Sequence, residues 1–181
     1  MLTNFSNRDA RFAKIYHWIG IAFVCIVSVP LHFLYEWSGE LPAAGLFAPI
    51  NESIWEHLKL VFWPLLLWWG IGYVLFKNSK NLSRYKWFTA AAVSAFLSMA
   101  VIVAWYYTWT GGFHIESPVI DIGSLFIAVP IGQLVAIHVY RVVEPRMIYL
   151  ILAGAFFVVF AGMFFLFTFF APDFPIFIPP T

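Results

Sequence analysis

The sequence predicts an all-α fold: a polytopic bundle of five membrane-spanning helices, N-terminus inside and C-terminus outside. Three observations carry that reading. The chain is 62% hydrophobic and only 10% charged, with a mean hydropathy of +0.85, whereas a soluble domain carries roughly 25% charge. Five apolar runs are each long enough to cross a bilayer, which takes about 20 helical residues. Lys and Arg fall in alternate loops, the pattern that sets membrane topology. All 181 residues are read as one integral membrane domain. The single cysteine, Cys25, lies in an apolar run and has no internal partner for a disulfide. With no basic stripe, no phosphate-binding glycine loop and no internal repeat, nucleic acid is not an expected partner.

The first run, Ile15–Trp37, is too long for the apolar region of a signal peptide. The small residues after it, Pro42-Ala43-Ala44-Gly45, are poorly arranged for cleavage, so it is read as a retained helix. The second, Ile54–Phe76, opens on Ser53-Ile54-Trp55-Glu56, which fits the capping box S-x-x-E. The third is Trp87–Trp109, and the fourth, Val119–Tyr140, follows Ser117-Pro118, an N-cap with proline at the first helical position. The fifth, Ile148–Phe170, is rich in phenylalanine and reads mainly as lipid-facing packing. Pro30, Pro64 and Pro130 fall inside the first, second and fourth helices. Each removes a backbone hydrogen bond and kinks its helix, which could open a wet cavity.

Arg8, Arg11 and Lys14 precede the first helix; Lys77, Lys80, Arg84 and Lys86 join the second to the third; Arg141 and Arg146 join the fourth to the fifth. These mark the inner side. Glu36, Glu40, Glu52, Glu56, Glu116, Asp121 and Asp173 all fall on the other side, at the level of His32, His57 and His114. Trp37, Trp55, Trp105 and Trp109 are expected in an outer aromatic belt, and Tyr16, Trp18, Tyr85, Trp87, Tyr140 and Tyr149 in an inner one.

The densest polar stretch is Asn51-Glu52-Ser53-Ile54-Trp55-Glu56-His57-Leu58-Lys59. On the first helix His32 and Glu36 are four apart and share a face. Glu52, Glu56 and Lys59 share a face on the second, and His57 is turned about 100° from Glu56. Asp121 sits one turn into the fourth helix, and His114 and Glu116 lie in the loop before it. Histidine plus carboxylate on neighbouring helices is what a divalent metal needs, zinc above all, through three protein ligands and a water. His32, Glu36, His57 and Asp121 are therefore the candidate ligands. Glu52, like Asp121, stands as a fourth ligand or general base, and Glu56 and Lys59 are candidates for orienting the site or stabilising charge. Asn51, Ser53, His114 and Glu116 are further pocket candidates. No H-E-x-x-H motif is present.

Simpler roles stand beside these. Ser53 and Glu56 could serve only the capping box, and Asn51 and Glu52 only the helix entry and its dipole. Lys59 could pair with Glu56 or Glu52, or snorkel to the interface. Glu40 and Asp173 read as solvated, His17 and His138 as interfacial. His32 with His57, and His17 with His138, lie at matched depths, but nothing else calls for a haem, and none is expected.

Four blocks carry a family resemblance: "LHFLYEWSG" (Leu31–Gly39), "GLFAPINESIWEHLKLVFWP" (Gly45–Pro64), "IDI" (Ile120–Ile122) and "FTFFAPDFPIF" (Phe167–Phe177). Together they resemble a family of small prokaryotic five-helix membrane proteins of unknown function. The resemblance implies the five-helix fold and weight on these blocks, and no activity. The residues themselves support a metal-dependent membrane hydrolase at the outer interface of the cell membrane, acting on an amphipathic substrate. The alternatives are proton- or cation-coupled transport of a small solute, and a non-catalytic subunit of a larger membrane complex. The expected partners are the lipid bilayer and either further copies of the chain or a membrane complex.

Overall fold

Each apolar run becomes one long helix. The computed structural model describes residues 7–79 and 82–180, so Lys80, counted above among the inner-side cations, lies outside the described residues. The helices are α1 (Asn7–Trp37), the short α2 (Pro42–Gly45), α3 (Ile54–Phe76), α4 (Arg84–Tyr107), α5 (Pro118–Val142) and α6 (Met147–Phe169). A wide turn, Thr108–Gly112, extends α4, and a 3₁₀ turn, Pro175–Phe177, follows α6. No strand occurs among the described residues. Five helices are long and apolar enough to cross a membrane: α1 from Ile15, α3, α4 with its wide turn, α5 from Val119, and α6. The chain is thus a multi-pass membrane protein.

Several helices overrun their apolar runs. α4 begins at Arg84 and α5 continues through Arg141 and Val142. Hydropathy stops at the first charge, but helical hydrogen bonding does not, and Arg and Lys are good helix formers. At the other end of α4, Phe113 N donates to Thr108 O at 3.2 Å, five residues back, and the chain turns through His114 at φ 55.

Successive long helices run in opposite directions. The C-terminal ends of α1, α4 and α6 therefore meet the N-terminal ends of α3 and α5 at one end, which is acidic. Lys77, Arg84, Lys86, Arg141 and Arg146 lie at the opposite, basic end. α4 and α5 pack through small residues, with Ser98 Oγ donating to Ala128 O at 3.2 Å. A Cβ on Gly132 would stand 2.6 Å from the Ser94 carbonyl oxygen, so the two backbones approach as closely as glycine allows.

Two of the expected belt aromatics at the basic end are core residues instead. Tyr16 stacks on Trp68 with ring centroids 4.2 Å apart, and its hydroxyl donates to Trp68 O at 2.6 Å. Trp87 Nε1 donates to Trp69 O at 3.0 Å. Both rings are buried over Gly72, whose missing side chain leaves them room. Their polar atoms find backbone carbonyls, so they need no headgroup water. Trp55 is likewise buried, against Phe164, Phe167 and Phe177. α6 is not purely lipid-facing: Phe164 is fully buried beside Phe62, while Val158, Val159 and Phe169 point outward.

Candidate metal centre

The N-terminal entry of α3 decides which side chains are free. Ser53 has extended backbone and caps the helix, its Oγ accepting from Glu56 N at 3.4 Å. The other half of a capping box is replaced. Ser53 N donates to Asn51 Oδ1 at 2.9 Å, and the Glu56 carboxylate accepts from Ile50 N at 3.0 Å. Asn51, Ser53 and Glu56 are thus absorbed in building the helix start. Glu52 is left with its carboxylate free.

Lys59 is fully buried and takes three close partners: Glu56 Oε2 at 2.6 Å, Gly45 O at 2.7 Å and Thr168 Oγ1 at 2.7 Å. An ammonium has three N–H donors, so this set saturates it. Glu56 and Lys59 form a closed ion pair tying α3 to the α2 turn and to α6, and neither lines the cavity described below.

On the side of α3 reached by His57, three ligand atoms converge. His32 Nε2 and His57 Nε2 are 3.2 Å apart. Glu52 Oε2 lies 3.3 Å from His57 Nε2 and 3.7 Å from His32 Nε2. A triangle with these edges has its centre about 2.0 Å from each atom, and bonds from zinc to His nitrogen or carboxylate oxygen are about 2.0–2.2 Å. His57 Nδ1 faces Ser53 O at 2.9 Å. A carbonyl only accepts, so Nδ1 carries the ring proton, and in the neutral ring Nε2 presents its lone pair to the triangle. This is the outer hydrogen bond that metal-binding histidines use to fix tautomer and orientation. The His32 ring has no such anchor: its Nδ1 is buried without a partner among the described residues.

Lone pairs at this spacing repel unless something lies between them: a metal ion does, and so does a proton on His32 Nε2, which then donates to His57 Nε2. When His57 is protonated at Nε2 as well, the ring donates to Glu52, and that hydrogen bond is the main cause that holds the Glu52 carboxyl below the usual carboxylate range.

The triangle lines a cavity of about 400 Å³ formed by α1, α3, α4 and α5, with Pro180 from the segment after α6. Asp121 lines it, as do Ser28, Ser124 and Tyr106, three polar residues not singled out from the sequence. Helical spacing could have found two of them: Ser28 is four residues before His32, and Ser124 is three after Asp121. Glu36 is exposed and stands outside the convergent group, which is His32, Glu52 and His57, all ligand atoms within 4.8 Å. His114 and Glu116 are exposed and do not line the cavity.

A family model described as a family of unknown function (DUF6512) matches residues 6–180. The chain belongs to the DUF6512 family. That bears out the resemblance carried by the four sequence blocks, and it brings no activity with it. No curated protein and no solved structure matches this DUF6512 member.

Proposed function

We propose that His32, Glu52 and His57 hold a divalent metal ion, zinc first, and that the site is a hydrolase for amphipathic substrates at the outer membrane interface. The observation that carries the reading is the triangle of ligand atoms, its size equal to a zinc coordination face, with His57 already anchored through Nδ1. Three ligands leave a position for water, whose pKa zinc lowers towards about 7. Asp121 lines the same cavity and serves as general base or fourth ligand. In hydrolysis the water oxygen bonds to the substrate carbonyl carbon while Asp121 takes the water's proton. The ester or amide bond then breaks, and Asp121 returns the proton to the leaving oxygen or nitrogen. The alternation of Lys and Arg supports an outward-facing site with the N-terminus inside.

Elemental analysis of the purified protein tests this directly. Near-stoichiometric zinc, lost in a folded His57→Ala protein, is expected. No transition metal after supplementation removes the metalloenzyme reading. One observation favours a second reading, proton- or cation-coupled transport: the His32–His57 contact at 3.2 Å is satisfied equally by a shared proton. Proton flux in liposomes from metal-free protein would support it.

A further inference from the structure

The cavity has two chemically distinct halves. One end holds His32, Glu52, His57 and Asp121; the walls below are Val29, Leu60, Ile102, Ile122 and Leu125. Its volume, about 400 Å³, is near the lower end of the roughly 300–1,000 Å³ typical of small-ligand sites. That fits one hydrocarbon chain with a small head better than a two-chain lipid.

The cavity also has an exposed apolar flank. Val29 and Phe33 on α1 and Ile122 on α5 line it, yet they are 55%, 42% and 59% exposed. On membrane-spanning helices, exposed apolar side chains beside a cavity offer an acyl chain an apolar way in. Nearer the basic end, α1 and α5 close on each other where His17 and Gln133 are buried neighbours. The exposed apolar flank thus lies in the acidic half, with the ligand triangle.

Charge narrows the head group. Among the described residues, no Lys or Arg reaches the cavity. Lys59, the basic residue of the acidic end, is saturated in its own network. Two carboxylates, Glu52 and Asp121, line the cavity and match the charge of one divalent ion. With the ion's charge matched by Glu52 and Asp121 and no Lys or Arg on the walls, neither an anionic nor a cationic head gains a net charge attraction.

We infer that the cavity takes a single-chain lipid with an uncharged, carbonyl-bearing head, such as a monoacyl ester or amide, entering from the bilayer between α1 and α5. The chain lies along Val29, Leu60 and Leu125, and the carbonyl sits at the His32–Glu52–His57 end. This rests on the metal-site reading, because the ion is what neutralises the two carboxylates.

The test uses the full chain in lipid nanodiscs, with zinc content measured on the same sample. Monolauroylglycerol, lauryl phosphate and laurylamine share one chain and differ in head charge. The neutral probe should bind at least tenfold tighter than either charged one. Val29→Trp, at a half-exposed position, and Leu125→Trp, on the cavity wall, should each weaken it tenfold or more with zinc retained. Equal or tighter binding of the phosphate or the amine to zinc-loaded protein overturns the inference while leaving the metal site standing. Unchanged affinity in both tryptophan variants overturns it too. Protein that holds no zinc fails the metal reading itself, which the elemental measurement shows independently of any probe.

Discussion

Replacing Lys59 by Met should be among the most damaging single changes in this protein, and it should damage stability rather than chemistry. The ammonium is fully buried, and the Glu56 carboxylate opposite it is only 3% exposed. Met fills similar volume but removes the bonds to Glu56, Gly45 O and Thr168 Oγ1. Glu56 keeps a single donor, the Ile50 amide at 3.0 Å. Leaving one partner of a buried ion pair uncompensated costs about 3–5 kcal/mol. Removing Glu56 as well, in Lys59→Met/Glu56→Leu, eliminates the stranded charge. The Gly45 carbonyl loses Lys59 in both variants, so what the double variant adds is only an unpaired Ile50 amide, about 1–3 kcal/mol. The double variant should therefore be more stable than the single one. Unfolding in mixed micelles of increasing sodium dodecyl sulfate content gives the comparison, with zinc per folded protein measured alongside. A single variant as stable as the parent, or no more damaged than the double, would refute the stranded-charge reasoning. A stable Lys59→Met protein that lost activity alone would return Lys59 to the catalytic role its sequence position allows.

Other outcomes follow from the same geometry. His57→Ala should weaken zinc binding by more than loss of an outer hydrogen bond does, roughly 10–100-fold, and zinc affinity of the parent should fall as pH drops below the ordinary histidine value of about 6.5; competition with a chelator of known affinity reads both. In metal-free protein the depressed Glu52 carboxyl stabilises the fold above its unfolded-state pKa, and that contribution is lost as pH falls through the lower folded-state value. Glu52→Gln should flatten this acidic limb in unfolding measured at stepped pH. Gly132→Ala should cost about 1–3 kcal/mol by overpacking, because its Cβ would meet the Ser94 carbonyl at 2.6 Å, whereas Gly123→Ala, with nothing within 4 Å, should not destabilise. Tyr16→Phe keeps the stack on Trp68 and loses one hydroxyl bond of 2.6 Å, about 1 kcal/mol, read from the same micelle titration.

The fold was legible because spanning a bilayer leaves few options. Backbone groups without water must pair within the segment, so long apolar runs become helices. Which aromatic residues would be buried was not legible. Tyr16, Trp55 and Trp87 have the composition of belt residues, and only the tertiary partners, Trp68, Phe164 and the Trp69 carbonyl, make them core. The site divides in the same way. His32, His57 and a carboxylate at one level could be read from spacing. The choice of Glu52 over Glu36 could not, because i, i+4 reasoning pairs His32 with the carboxylate on its own helix. Glu52 precedes α3, outside any helical periodicity, and is aimed by the turn that Asn51 closes on the Ser53 amide. The rotation of about 100° between adjacent residues explains the remaining split. Glu56 faces Lys59 and α6, while His57 faces α1.

What brings α1 to the right height on α3 is a backbone defect. Pro64 has no N–H, so the Leu60 carbonyl four residues earlier loses its helical donor. Ser28 Oγ lies 2.6 Å from Leu60 O and 2.7 Å from Val24 O; its one proton is needed at Leu60 O, because Val24 O already has a helical donor in the Ser28 amide. The helices are antiparallel, His32 is one turn beyond Ser28, and His57 is one turn before Leu60. The Ser28–Leu60 bond therefore sets the register that places the two Nε2 atoms 3.2 Å apart. Neither Pro64 nor Ser28 supplies a ligand atom to the triangle; through the register they set, both are positioning residues. Ser28→Ala should leave α1 and α3 helical and cost stability by about 1–3 kcal/mol for the buried carbonyl left unpaired. It should also weaken zinc binding roughly 10–100-fold, as changes behind metal ligands do, and Ser28→Thr, which keeps the hydroxyl, should restore most of that loss. A Ser28→Ala protein that is destabilised but binds zinc with parental affinity would show that the bond holds the helices together without setting the spacing of the histidines.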